Sequence, residues 1–223
     1  MRKLEKNILT SRNSQFDLKD NGNMNQKTQF PWGKVAYFVT SNLHKFQEAR
    51  RTLSEYKIAT AKLKVDAIEI QDDSTESIAK YSAQDAVKNC GLPLFVEDAG
   101  LFIDALKGFP GTYSKYVYNT IGLKGILKIM KNVENRNAYF LSVVAFATPE
   151  EQPICFIGKV EGTISLQERG TRGFGYDPIF TPLEGDNRTF AEMATEEKNV
   201  YSHRGKALRK FAEWYSGDSK RRF

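Results

Sequence analysis

Four short segments carry residues whose types and spacing fit chemistry on a phosphorylated flat ring. The first is Gly173-Phe174-Gly175-Tyr176-Asp177-Pro178-Ile179-Phe180. It gathers aromatic faces, an edge acceptor and two glycines that let backbone approach closely, which is what a slot for a polar heterocycle needs. Phe174 is the stacking candidate and Asp177 the acceptor for ring N–H groups, while Tyr176 either stacks or packs in the core. The second segment, Thr40-Ser41-Asn42-Leu43-His44-Lys45, sits where a buried strand hands over to a helix. A helix N-terminus offers unpaired N–H groups and the positive end of a dipole, which suits a phosphate. Thr40, Ser41 and Asn42 add donors and Lys45 adds charge, although an Asn42 cap with a solvated Lys45 reads the same residues. The glycines of a Walker A loop are missing, and His44 points off the cap toward the surface.

The third segment is Val96-Glu97-Asp98-Ala99-Gly100-Leu101. Neighbouring strand residues face opposite ways, so a regular strand sends only one of Glu97 and Asp98 into a cleft. A carboxylate at a strand end is a natural Mg²⁺ ligand, and that ion takes one or two carboxylates together with water and substrate phosphates. Asp98 with Glu69, from the run Asp66-Ala67-Ile68-Glu69-Ile70-Gln71, would supply them, and Glu97 is then either a structural acid or a support for the metal acid. A solvated strand acid is the other reading of Glu69. The fourth segment runs from Glu196 to Ala207. Ser202 reads as an N-cap, so that His203 and Arg204 open a last helix. Arginine is a fixed fork of donors for carbonyl or phosphate oxygens, and Lys198 lies one loop away. His203 taken alone also reads as a capping or packed imidazole, and Lys206, Arg209 and Lys210 as a solvated helix face.

The elements that position these groups follow from hydrophobic period and turn chemistry. Residues 35–39 predict a buried strand and 44–56 a helix with Phe46, Ala49 and Leu53 on one face. A second strand is expected over 58–65, and a helix over 75–90 with Ile78, Ala79, Ala83, Ala86 and Val87 inward. A short strand over 94–96 should end at the acidic pair, followed by a Gly-Phe-Pro-Gly turn and a helix over 121–131. Residues 138–147 and 154–164 read as an antiparallel pair, 179–181 as a further strand, and 203–215 as a helix burying Ala207, Leu208, Phe211 and Trp214. Interleaved helices and strands followed by a hairpin make an α/β fold with a mixed sheet.

Composition narrows the class. The 223 residues carry a net charge of +6, but residues 1–34 hold seven Lys or Arg against three acids and so supply most of it. That segment, rich in Asn, Gln, Ser and Lys, reads as a poorly ordered basic extension without the apolar run of a secretory signal, and 218–223 as a basic tail. The ordered part, 35–217, is therefore nearly neutral, which argues against a nucleic-acid-binding face. No apolar run approaches the roughly 20 residues of a membrane helix. Cys90 and Cys155 make no disulfide framework and read as two buried thiols of a cytoplasmic protein.

In this order the segments resemble the inosine triphosphate pyrophosphatase family, the XTP/dITP diphosphatases that remove deaminated purine nucleotides. The resemblance rests on T-x-N-x-x-K, E-D-A-G-L, L-K-G-F-P-G-x-Y-S, G-F-G-Y-D-P-I-F and E-E-K-N-x-x-S-H-R-G-K-A, spans about Val35 to Trp214, and is closest in wording to archaeal members. It implies an elongated, two-lobed mixed α/β fold with a nucleotide cleft between the lobes, usually a homodimer. It further implies Mg²⁺-dependent cleavage of a triphosphate between its α and β phosphates. Carried over, Thr40, Ser41, Asn42, Leu43, His44 and Lys45 would hold the triphosphate, and Asp98 would be the catalytic carboxylate and a metal ligand with Glu69. Ala99 would lie against substrate, Phe174, Gly175, Tyr176 and Asp177 with His203 and Arg204 would enclose the base, and Lys198 would contact the nucleotide. Two positions depart from the family pattern. Ala99 stands where many members have serine, and the lysine that many carry in the preceding helix is out of register, Lys80 being near and Ser82 closer to the site.

Overall fold

The computed structural model describes residues 34–68 and 70–217; residues 1–33, the tail expected over 218–223 and Glu69 lie outside the described residues, and Lys34, counted from sequence in the extension over 1–34, opens the first strand. The chain runs β1 (Lys34–Val39), α1 (Leu43–Ser54), β2 (Ile58–Leu63), α2 (Thr75–Cys90), β3 (Leu94–Ile103), β4 (Pro110–Gly111), α3 (Ser114–Thr120), α4 (Gly122–Ile129), β5 (Asn137–Ala147), β6 (Ile154–Ile164), β7 (Phe180–Pro182), α5 (Thr195–Tyr201) and α6 (His203–Gly217). The sheet order is β2-β1-β3-β5-β6-β7, with β4 paired to β3. β1 pairs in parallel with β2 and β3, and the remaining pairs are antiparallel, so the sheet is mixed as the sequence predicts.

The period-2 alternation of β3 and β5 sorts the core into two faces. Phe95, Val144 and Phe146 join Phe38 under α1 and α6, where Ala49, Leu53, Leu208 and Phe211 meet them. Val96, Val143 and Ala145 point the other way, against Ala79, Ala83 and Ala86 of α2. The alanines recur at helical spacing and bring α2 close to the sheet. A third cluster, around Leu101, Phe140, Phe180 and Phe190, fills the β5–β7 end. Burying each of these large side chains contributes ~1.5–3 kcal/mol. The helices start and stop on local chemistry. Asn42 accepts from the His44 and Lys45 amides, Ser74 from the Ser77 amide, and Gly91, at φ 67°, ends α2 in the left-handed conformation.

Several boundaries differ from those the pattern predicts. β3 does not stop at Val96; β5 pairs with it from Leu94 to Ile103, which carries the strand straight through Glu97 and Asp98. The helix expected over 121–131 is α4 alone, ending at Ile129, and α3 precedes it across Gly122, at φ 63°. Residues 177–179 form a single 3₁₀ turn, which displaces the expected strand to β7. The short helix α5 has no counterpart in the pattern, its buried residues being polar. Cys90 and Cys155 are free and half-buried rather than buried, and burial pushes the Cys155 thiol up to about 11. Among the described residues no helix is long and apolar enough to cross a membrane.

Candidate active site

All four segments line one cleft of about 1380 Å³. Its floor is β3. Because that strand stays regular, Glu97 shares a face with Phe95, toward α1 and α6, and Asp98 shares the opposite face with Val96, toward α2. The Glu97 side chain is completely buried. Ser142 Oγ donates to its Oε1 at 2.6 Å, Arg204 Nε lies 3.1 Å from the same oxygen, and Lys45 Nζ lies 3.0 Å from Oε2. Burial alone would raise this carboxyl, but Arg204 and Lys45 outweigh it and hold it far below the usual range. Glu97 is thus an ionised anchor between two cations, whereas Asp98 lines the cleft on the other side of the strand with Ala99 beside it.

The anchor belongs to a longer chain of buried charges. From Arg204, Nη1 donates to Glu48 Oε2 at 2.6 Å; Lys198 Nζ donates to Glu48 Oε1 at 2.9 Å and to Asp177 Oδ2 at 2.6 Å. Lys45, Glu97, Arg204, Glu48, Lys198 and Asp177 therefore alternate in sign, three cations against three carboxylates, from the first turn of α1 to the aromatic loop. Burial would raise Glu48, yet Lys198 and Arg204 keep it below its ordinary value. Burial would lower Lys198, and its two acids hold it charged. At the end of the chain, burial prevails over Lys198 and Asp177 sits above its usual range, with Glu48 adding to the rise.

The aromatic loop is shaped by its glycines. Gly173 has φ 73°, and a Cβ there would fall 2.1 Å from Asp177 Oδ2, so only glycine lets the carboxylate fold back onto the loop. That oxygen also accepts from the Phe174 amide at 2.8 Å. Lys198 Nζ lies 4.8 Å and the Arg204 guanidinium 5.4 Å from the centre of the half-buried Phe174 ring, both over its plane. His203 is buried and stacks on Phe140 at 4.4 Å, and its Nδ1 has no hydrogen-bond partner among the described residues. Burial, with Arg204 alongside, pushes this imidazole well below its ordinary pKa and keeps it neutral.

The remaining residues singled out from sequence take varied places. Asn42 is the α1 cap, and Thr40 Oγ1 accepts from the Asn42 amide at 3.1 Å; with the His44 and Lys45 amides taken, the Leu43 amide remains as helix-terminal donor. Thr40, Ser41, Asn42 and Lys45 line the cleft, whereas Leu43 and His44 stand outside its wall. Tyr176 is core: its hydroxyl donates to the Ser114 carbonyl at 2.8 Å and its ring meets Tyr118 edge-on at 5.5 Å. Lys80 pairs with Glu76 on the exposed side of α2, 2.6 Å apart, while Ser82 faces the cleft and donates to the Ile68 carbonyl at 3.1 Å. Asp85 accepts from the Ile68 amide at 2.9 Å, so α2 clips the backbone next to Glu69. Local patterns do not single out Glu48 or the cleft residue Lys115. The available signal for Glu48 is its place one turn after Lys45 and beside the buried Ala49 of α1.

The Ham1 family model matches residues 36–214. The chain belongs to the Ham1 family. Among the relatives of this Ham1 chain, the dITP/XTP pyrophosphatase of Methanopyrus kandleri is 50% identical over 181 residues, covering 81% of this chain and 96% of that protein. That of Thermococcus kodakarensis is 51% identical over 177 residues, covering 79% and 95%. A HAM1 protein from Coxiella burnetii superposes with a TM-score of 0.74 at 30% identity, over 82% of this chain and 99% of that one. The Staphylococcus aureus Ham1 protein superposes at 0.72 with 25% identity, over 83% and 100%.

Proposed function

We propose that this Ham1 protein hydrolyses non-standard purine nucleoside triphosphates, namely ITP, dITP and XTP, to the monophosphate and pyrophosphate, and so clears deaminated purines from the nucleotide pool. The observation that carries this reading is the buried edge at the loop: Asp177, Arg204 and the Nδ1 of a neutral His203, unpartnered among the described residues, all lining the same cleft as Phe174 and Asp98. Relatives about half identical in sequence bear the name dITP/XTP pyrophosphatase.

Hypoxanthine and xanthine present a 6-keto oxygen and a protonated N1, and adenine presents an amino group and a bare N1. Arg204 spends Nη1 on Glu48 and Nε on Glu97, which leaves Nη2 as the donor assigned to the 6-keto oxygen. Asp177 spends Oδ2 on Lys198 and Phe174, which leaves Oδ1 as the acceptor for N1–H. Adenine would strand both buried groups, a mismatch that can give discrimination of ~10⁴-fold.

At the other end, the α1 terminus, with Thr40 and Ser41, receives the phosphates. Asp98 lines the cleft on the strand face opposite Glu97, and its oxygens, with those of Glu69 and the phosphates, would hold Mg²⁺. Such an ion, when bound, supplies charge neutralisation on the phosphate oxygens. Asp98 orients the attacking water and takes its proton as the bond to phosphorus forms and pyrophosphate leaves. We assign the active form to a cytoplasmic homodimer.

Asp98→Asn tests the assignment. Turnover of dITP should fall by ~10²–10⁴-fold with the melting transition unchanged. Near-normal turnover in that variant would remove Asp98 from the chemistry.

A further inference from the structure

His44 is the second residue of α1, and its imidazole lies face to face with Phe174, 5.0 Å between ring centres and 14° from parallel. Its backbone is fixed, since its amide donates to Asn42 Oδ1 at 2.9 Å. The imidazole itself makes no hydrogen bond or ion pair among the described residues, although it is exposed and free to turn toward solvent. Contact with Phe174 is what defines its position. The two rings come from different elements, an exposed first helical turn and a loop whose glycines on either side of Phe174 have φ 73° and 63°. Phe174 is tied to Asp177 through its amide, so the exposed His44 side chain is the partner that swings aside.

We propose that His44, outside the cleft wall while it stacks on Phe174, becomes the second aromatic wall of the base slot, and so clamps the base, when a purine enters between the two rings. The inference rests on the base-stacking role assigned to Phe174 above. Stacked rings sit roughly 4.5–7 Å apart between centres, so 5.0 Å is direct contact, and a purine entering between them parts the pair and exchanges one ring contact for two. The rings are already nearly parallel, so little reorientation is needed. Two flat walls contact more of a bicyclic base than of a pyrimidine, and the clamp therefore adds selectivity for ring size to the edge chemistry of Asp177 and Arg204.

The test compares wild type with His44→Ala, His44→Phe, His44→Lys and Phe174→Ala, using ITP as substrate and inorganic tripolyphosphate as a ring-less competitive inhibitor. His44→Ala should raise KM for ITP about three- to tenfold, the worth of one aromatic contact, with kcat little changed and tripolyphosphate inhibition as in wild type. His44→Phe should restore KM, since a flat ring suffices, and His44→Lys should not. An unchanged KM in His44→Ala beside a raised KM in Phe174→Ala would overturn the clamp and leave the base slot standing. Unchanged KM in both would remove the slot as well. Tripolyphosphate inhibition weakened in step with KM would place His44 on the phosphates and also overturn the clamp.

Discussion

Glu48→Gln tests the buried charge chain at its middle. Glu48 is 4% exposed, and each of its oxygens holds a different cation, Lys198 at 2.9 Å and Arg204 at 2.6 Å. Glutamine keeps the shape but removes the charge, and its amide can oppose at most one of the two cations with an oxygen. The alternating chain then carries one uncompensated positive charge among groups that are all but inaccessible to water. Removing one partner of a buried pair costs about 3–5 kcal/mol. For a domain of this size that lowers Tm by ~10 °C. Urea and thermal unfolding followed by circular dichroism would measure it at pH 7. The dependence on pH supplies a second check. Glu48 titrates below its ordinary value in the folded protein, so its stabilisation is full above the unfolded pKa near 4.5 and is lost as pH falls through the folded value. The gap between wild type and variant should therefore narrow in acid. A Glu48→Gln variant that unfolds within about 1 kcal/mol of wild type at pH 7 would refute the reasoning, since surface ion pairs are worth that little.

Two further outcomes follow from the same geometry. Gly173→Ala should destabilise the protein by about 1–3 kcal/mol and raise KM for ITP, because a Cβ would meet Asp177 Oδ2 at 2.1 Å on a backbone already at φ 73°; unfolding and kinetics of that variant check it, and wild-type values for both would contradict it. His203, neutral and far below its ordinary pKa when folded, binds its proton only on unfolding once pH drops below about 6.5, so stability should decline from there toward pH 5. Urea midpoints of wild type against His203→Gln measure this, and equal slopes in the two proteins would show that His203 does not contribute.

The segments that carry chemistry were legible because each is local: a cap beside a strand end, an acidic pair in an apolar run, an aromatic loop rich in glycine. What was not legible depends on long-range convergence. Glu48 acquires its role only when Lys198, 150 residues later, and Arg204, 156 residues later, arrive on the same side of α1. The length of β3 was hidden for a related reason. Two adjacent acids look like the end of a buried strand, and only the cations from α1 and α6 make Glu97 tolerable within one. Tyr176 stayed open between stacking and packing until its hydroxyl met a carbonyl 62 residues away. The helix α5 escaped the apolar period because it buries Lys198 and Asn199 rather than hydrophobic side chains.

Pyrophosphate release in the presence of Mg²⁺ from ITP, dITP, XTP, ATP and GTP, measured in parallel on the full chain, tests the central claim most directly. The account predicts strong release from the first three and little from ATP and GTP. Release of orthophosphate instead, equal use of ATP, or no turnover of any of them would contradict it.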